Sequence, residues 1–212
     1  DRFIGNAYMF TEEERKKLLK IKTDAPSPAE VVKPFYDRVK DKDPVTKMQF
    51  VDLNAWMVGD ILLKADKMSM ANSLEVRVPF LYKKIMELAE RIPLKYRVND
   101  ENTKFAMRKA ALRRMPEKWA GKKKLGFPVP TRVWLKEDKY YNIVKEKFTG
   151  EVAQKYFNTD MLVKLLDDHK NGKADNSRRV WTVYTFLVWY DQFFNDDILN
   201  GYAEHTLSLI HI

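Results

Sequence analysis

With 212 residues, 45% of them hydrophobic and including 12 Phe, 10 Tyr and 5 Trp, the chain can bury a real core, which excludes global disorder. A formal charge of +9 suits an anionic partner, but the basic residues are interleaved with acids, and no arginine-rich arm or aromatic–glycine ribonucleoprotein motif occurs; nucleic acid is not expected. There is no cysteine for a disulfide, a Cys-bound zinc or a thiol nucleophile. No apolar run nears the roughly 20 residues of a membrane span and nothing resembles a signal peptide, so a cytoplasmic protein without membrane association is the expectation.

Seven glycines are few, and the hairpin-type dipeptides Asn171-Gly172 and Asn200-Gly201 do not sit between alternating strands, so the fold should be mainly α. Thr11 with Glu14 three residues on is a capping box that starts a helix running to about Lys20. Ser27-Pro28-Ala29-Glu30 repeats that pattern, and Pro34 should kink or interrupt the second helix. From Gln49 to about Ala71, Leu53, Trp56, Met57, Ile61, Leu62, Ala65 and Met68 recur at spacings of three and four, which predicts a long, largely buried helix. Asn72-Ser73 ends it. Leu74, Val76, Val78 and Phe80 then alternate with Glu75, Arg77 and Pro79, the rhythm of an extended segment with one buried face. A helix of about ten residues follows, with Ile85, Leu88, Ala89 and Ile92 inward. Another spans Thr103 to Arg114, with Lys104 and Arg108 on one face. Gly126, Pro128 and Pro130 make Lys122–Pro130 a loop. Helices are predicted over Thr131–Leu135, Tyr140–Phe148, Asp160–Asn171 and Ser177–Phe194, the last apolar on nearly all sides and therefore central. The uncharged Thr206–Ile212 stretch, following a finished helix, reads as a non-native tail within 201–212.

Three cationic elements could carry chemistry: Lys64 and Lys67 at a helix end, Arg77 beside Glu75, and Lys122 to Lys124 on the loop. Arg offers a planar fork and Lys a mobile point charge, both suited to phosphate or carboxylate. Each also has a bland reading, as a solvated face or, for Glu75 and Arg77, a structural ion pair. The three histidines have no metal-ligand spacing, and no Gly-rich phosphate loop is present. Residue patterns alone stop at a helical domain able to hold an anion.

The stretch DILLKADKMSMANSLEVRVPFL, Asp60 to Leu81, closely resembles the asparagine synthetase pattern of a D-x-L-x-K-x-D-R-M-S-M-A helix followed by S-L-E-V-R-x-P-F-L-D. NTKFAMR at Asn102–Arg108, KKLGFPVP at Lys123–Pro130, and Trp134 agree in order. The resemblance covers about Asp1 to Asp196. It implies residues 1–200 as part of a synthetase domain: the helical carboxy-terminal portion of an α/β adenine-nucleotide-hydrolase-like (PP-loop ATP pyrophosphatase) fold, lacking most of the parallel sheet. The implied reaction is ATP-dependent adenylation of the aspartate side chain and its amidation by ammonia from an amino-terminal glutaminase. Lys124 matches the lysine expected on the phosphates, and Arg77 the arginine near the aspartate and adenylate. Lys67, Lys104 and Arg108 would serve ATP and substrate, with Glu75 orienting Arg77. A homodimer is compatible with the family.

Two departures stand out. Lys67 occupies a position where the family often has Arg, and Tyr82 replaces the Asp after P-F-L. The S-G-G-x-D-S and S-G-E-G-x-D-E segments and the glutaminase Cys are absent, so the ATP cradle and the Mg²⁺ ligands are expected upstream of Asp1, and the fragment is expected to be inactive alone. Two other readings stay open: a related amide-forming ligase, similar to β-lactam synthetase, and a basic helical interaction module.

Overall fold

The computed structural model describes residues 9–100, 102–123 and 129–194. These are mainly helical; the only β pairing among them is a single antiparallel bridge between Leu19 and Phe157. They form two compact units, one from the described residues up to Ala25 and from 129 onward, the other from Pro26 to residue 123.

In the first unit, α1 (Glu12–Leu18) starts at the predicted capping box: Glu14 N donates to Thr11 Oγ1 (3.2 Å), and Thr11 N to the Glu14 carboxylate (2.8 Å). After it come α9 (Thr131–Trp134), α10 (Asp138–Thr149), α11 (Glu151–Tyr156), α12 (Thr159–Lys170) and α13 (Ser177–Phe194). Helices α10, α12 and α13 pack on one another around Phe148, Leu162, Leu166, Val180 and Leu187, all essentially inaccessible. The prediction for α13 holds on one face only: Val180, Val183 and Leu187 are buried, whereas Trp181, Val188 and Trp189 are exposed. Asn171-Gly172 proves to be a helix stop. Asn171 caps α12 and Gly172 takes φ +73°, the left-handed conformation that glycine adopts without a steric cost.

The second unit begins with α2 (Pro28–Asp37), which continues through Pro34 rather than breaking there. Next, α3 (Pro44–Val51), a π-helical stretch (Asp52–Leu62) and α4 (Leu63–Met70) follow one another without a gap. This helical run starts five residues before the predicted Gln49, because Asp43 is its N-cap, accepting from Thr46 N at 3.0 Å, and Pro44 fills the first turn. The expectation that it is largely buried is overturned: Val51 is its one buried residue, and Leu53, Trp56 and Met68 are exposed. The next residues, 74–78, form neither helix nor strand, and their apolar side chains are likewise uncovered, as is Phe80 at 63% exposure. A 3₁₀ turn (Pro79–Leu81), α5 (Lys83–Glu90), α6 (Leu94–Arg97), α7 (Phe105–Ala111) and α8 (Glu117–Ala120) complete the unit. In α5, Leu88 was predicted inward and is 62% exposed. The periodicity marks a face made for burial, and no described residue of this unit covers it. Arg97 ties α6 to the start of α3, donating to Gln49 Oε1 and Thr46 Oγ1, each at 3.0 Å.

Candidate functional site

The cations picked out in the sequence, Lys124 apart, belong to the second unit, and local chemistry fixes each differently. Asp60, inside the π-helical stretch, accepts from Trp56 Nε1 (2.9 Å) and pairs with Lys64 (3.2 Å). The indole N–H and the ammonium hold its carboxyl below the usual carboxylate range. Lys64 is thereby engaged one turn back, and Lys67, in the last turn of α4, makes no ion pair or side-chain hydrogen bond among the described residues. Past the cap at Ala71, Ser73 adopts φ +54°, a conformation uncommon for a residue with a Cβ, while Leu74 N returns to Ser69 O at 2.9 Å. This reversal ends the helix where Asn72-Ser73 predicts and leads into the segment 74–78.

On that segment Glu75 and Arg77 form an ion pair of 2.6 Å, both side chains reaching into solvent, with Arg77 84% exposed. The pair leaves Arg77 largely open to solvent. Lys104 stands just ahead of α7 as its N-cap, with φ −141°, outside the helix expected to include it, and its ammonium is unpaired among the described residues. Arg108, one turn into α7, is half-buried and points its guanidinium at backbone: Nη1 donates to Ala120 O (3.0 Å) and Lys122 O (2.9 Å). Lys124, with 125–128, lies outside the described residues. No hydrogen bond or ion pair joins Lys67, Arg77 and Lys104 among the described residues. The donor set suits anionic oxygens. Among the described residues, no group of three or more His, Cys, Asp or Glu is placed to hold a metal ion.

The first unit holds features that the sequence did not announce. His169 is buried, its Nε2–H donating to Arg132 O at 3.0 Å, with Nδ1 3.6 Å from Asp175. Beside it lies an open cavity of about 500 Å³ lined by Arg132, Lys136, Glu137 and Asp175. A lone histidine on a helix carries no sequence pattern that distinguishes such packing from a ligand role. No helix among the described residues is long and apolar enough to cross a membrane.

The asparagine synthase family model matches residues 2–191. The chain is 46% identical over 193 residues to glutamine-hydrolysing asparagine synthetase 1 of Bacillus subtilis (strain 168), covering 90% of this chain and 30% of that protein. It is 34% identical over 204 residues to putative glutamine-hydrolysing asparagine synthetases of Mycobacterium bovis and Mycobacterium tuberculosis, covering 96% of this chain and 31% of each. The chain thus spans about a third of the length of these relatives. No solved structure matches. With the family model covering all but its ends, the chain belongs to the asparagine synthase family.

Proposed function

We propose that this chain is the carboxy-terminal part of a glutamine-dependent asparagine synthetase, a cytoplasmic enzyme that makes asparagine, AMP and pyrophosphate from aspartate, ATP and ammonia released from glutamine. Both units belong, in this reading, to one partial synthetase domain of the PP-loop ATP pyrophosphatase type spanning 1–200, with 201–212 a non-native tail. The sheet, the glutaminase and any Mg²⁺ ligands would be supplied outside this chain, which alone would be inactive. The observation that carries the proposal is the Asp60–Leu81 motif within 46% identity to a relative described as glutamine-hydrolysing asparagine synthetase.

The chemistry gives the cations their work. An oxygen of the aspartate side-chain carboxylate attacks the α-phosphorus of ATP, and the bond to pyrophosphate breaks. Ammonia then attacks the acyl carbon, loses a proton, and AMP leaves with the bonding pair. Negative charge peaks on the phosphates during the first step. Lys124 would meet it there, with Lys67, Lys104 and Arg108 as further cations of the ATP side. Arg77, braced by Glu75 at 2.6 Å, would hold the aspartate and adenylate end through its open fork. Preorganised charge of this kind is worth a few kcal/mol per donor in a water-excluded site.

The test is Lys124→Ala in the full-length enzyme. ATP–pyrophosphate exchange should fall by about 10²- to 10³-fold, the usual loss for one such donor, while glutaminase activity persists. Near-normal exchange would remove Lys124 from the site.

A further inference from the structure

We propose that the cleft beside His169 in the first unit binds a free α-amino acid, holding its carboxylate on Arg132 and Lys136 and its ammonium among Glu137, Asp175 and His169. This goes beyond the proposed function and does not rest on it. The cleft, of about 500 Å³, is roomy enough for a small metabolite and is formed by the turn leaving α9 and the reversal between α12 and α13. Leu135 is buried in the core and fixes the first wall, while Arg132 and Lys136 on either side of it line the cleft and stay exposed. Gly172 belongs to the second wall. Its φ of +73° turns the chain after α12, and a Cβ there would stand 4.0 Å from Lys136 Nζ, so the ammonium lies over this turn. Lys136 makes no ion pair or side-chain hydrogen bond among the described residues.

Asp175 stands just out of hydrogen-bond reach of two neighbours. Arg132 Nη1 is 3.9 Å from its Oδ2, and His169 Nδ1 is 3.6 Å from its Oδ1. His169 is 1% exposed, and its Nδ1 is buried with no hydrogen-bond partner among the described residues, an unfavourable state for a polar atom. The tautomer follows from the other ring nitrogen. Nε2 faces the Arg132 carbonyl, which can only accept, so Nε2 carries the proton and Nδ1 of the neutral ring is a bare lone pair. Donation from Ser177 Oγ (2.6 Å) and Ser177 N (3.1 Å) holds the Asp175 carboxyl below the usual carboxylate range and keeps it charged. Two acceptors thus face each other with no donor between them. An ammonium brings three N–H donors, enough for both, and its charge suits Asp175 and Glu137. The cations then take the other end of the ligand, where Arg132 offers its planar fork and Lys136 a mobile charge. A simple anion would meet the two carboxylates of the lining and a simple cation its Arg and Lys, whereas a zwitterion finds a partner for each of its charges.

The test is a titration of the isotope-labelled chain with glycine, the smallest α-amino acid, followed by NMR of the backbone amides at neutral pH. Saturable shifts are expected at residues 132–137 and 169–175, with a Kd of about 1 mM, ordinary for so small a ligand in an open site. Acetate and methylammonium, which carry one of the two charges each, should bind about tenfold more weakly, as the loss of one charged hydrogen-bond partner requires. Lys136→Ala and Asp175→Asn should each weaken glycine by about the same factor, and Asn keeps an oxygen for Ser177. Lys136 is exposed, so its variant decides the matter even if Asp175→Asn disturbs the start of α13. Any of three results overturns the proposal. No saturable shift up to about 50 mM glycine would mean that water or a second proton on His169 fills the gap. Acetate binding as tightly as glycine would make the cleft an anion site only. Glycine binding untouched by Lys136→Ala would place the ligand elsewhere.

Discussion

Glu14 works for two elements at once. Its carboxylate accepts the Thr11 N–H that opens α1 and pairs with Arg179 of α13 at 2.9 Å, while Arg179 Nε donates to Met9 O. The backbone hydrogen bond from Thr11, ahead of the Arg179 charge, holds the Glu14 carboxyl below the usual carboxylate range. A carboxyl with a depressed folded-state pKa adds stability above its unfolded value, and that share disappears as pH falls through the folded one. Thermal melts of the chain from pH 6 down to pH 3 should therefore lose midpoint temperature on the acid side. Glu14→Gln can still form the capping box but cannot titrate or pair with Arg179. Its melting point should be lower at pH 6 and less dependent on pH below 5; an unchanged acid limb would mean that Glu14 contributes nothing to it. The exposed Glu75–Arg77 pair is a contrasting case. In open solvent such a pair is worth at most about 1 kcal/mol, so it adds little to stability.

At the scale of elements, packing decides which apolar residues matter. Phe148 on α10 is fully buried among α10, α12 and α13, and Phe148→Ala should cost about 3–5 kcal/mol, whereas Leu88→Ala on exposed α5 should cost well under 1 kcal/mol. Urea titrations of the two variants would check the contrast, and comparable losses would show that α5 is covered in solution. The sequence alone would rank the two positions together, since both lie on helical stripes. Capping boxes at Thr11 and Ser27, the stop at Asn72-Ser73 and the span of α13 were legible because they depend on neighbours within one turn. Asp43-Pro44 carried an equally local start signal that the apolar pattern from Gln49 onward hid. Helix α11 is too short to declare a period. Burial on the run from α3 to α4 was misjudged for a different reason: periodicity states which face is apolar, not what covers it. For the site, the residue types and their order were readable, and so was the possibility of a Glu75–Arg77 pair. The attachment of Arg108 to Ala120 and Lys122 was not, because it needs two helices to meet and no spacing rule encodes that.

Across the whole molecule, the core is unevenly shared. Among the described residues every buried apolar side chain except Val51 and Ala120 lies in the first unit. The second unit is held by local helix bonds, the Arg97 and Arg108 staples, and rings such as Tyr96 stacked on Phe105 at 6.4 Å, while Trp56, Met68, Phe80, Leu88 and Trp119 face solvent. Helical hydrogen bonds without apolar cover open at little cost, because water replaces them one by one. Hydrogen exchange on the isolated chain should therefore split: amides of α10, α12 and α13 should stay protected long after those of α3 to α5 have exchanged. In the full-length enzyme, the proposed synthetase sheet would lie against this apolar surface, and the second set should slow by at least an order of magnitude, as about 1.4 kcal/mol of added local stability requires. Equal protection of both sets in the isolated chain would mean that the second unit has cover of its own. Under the proposed function the same measurement would bear on catalysis, because α4, the Glu75–Arg77 segment and α7 all belong to the weakly covered unit. Cations mounted on elements that open readily cannot be preorganised for a phosphate, so the cover that slows exchange in α3 to α5 would also be what makes Lys67, Arg77 and Arg108 effective.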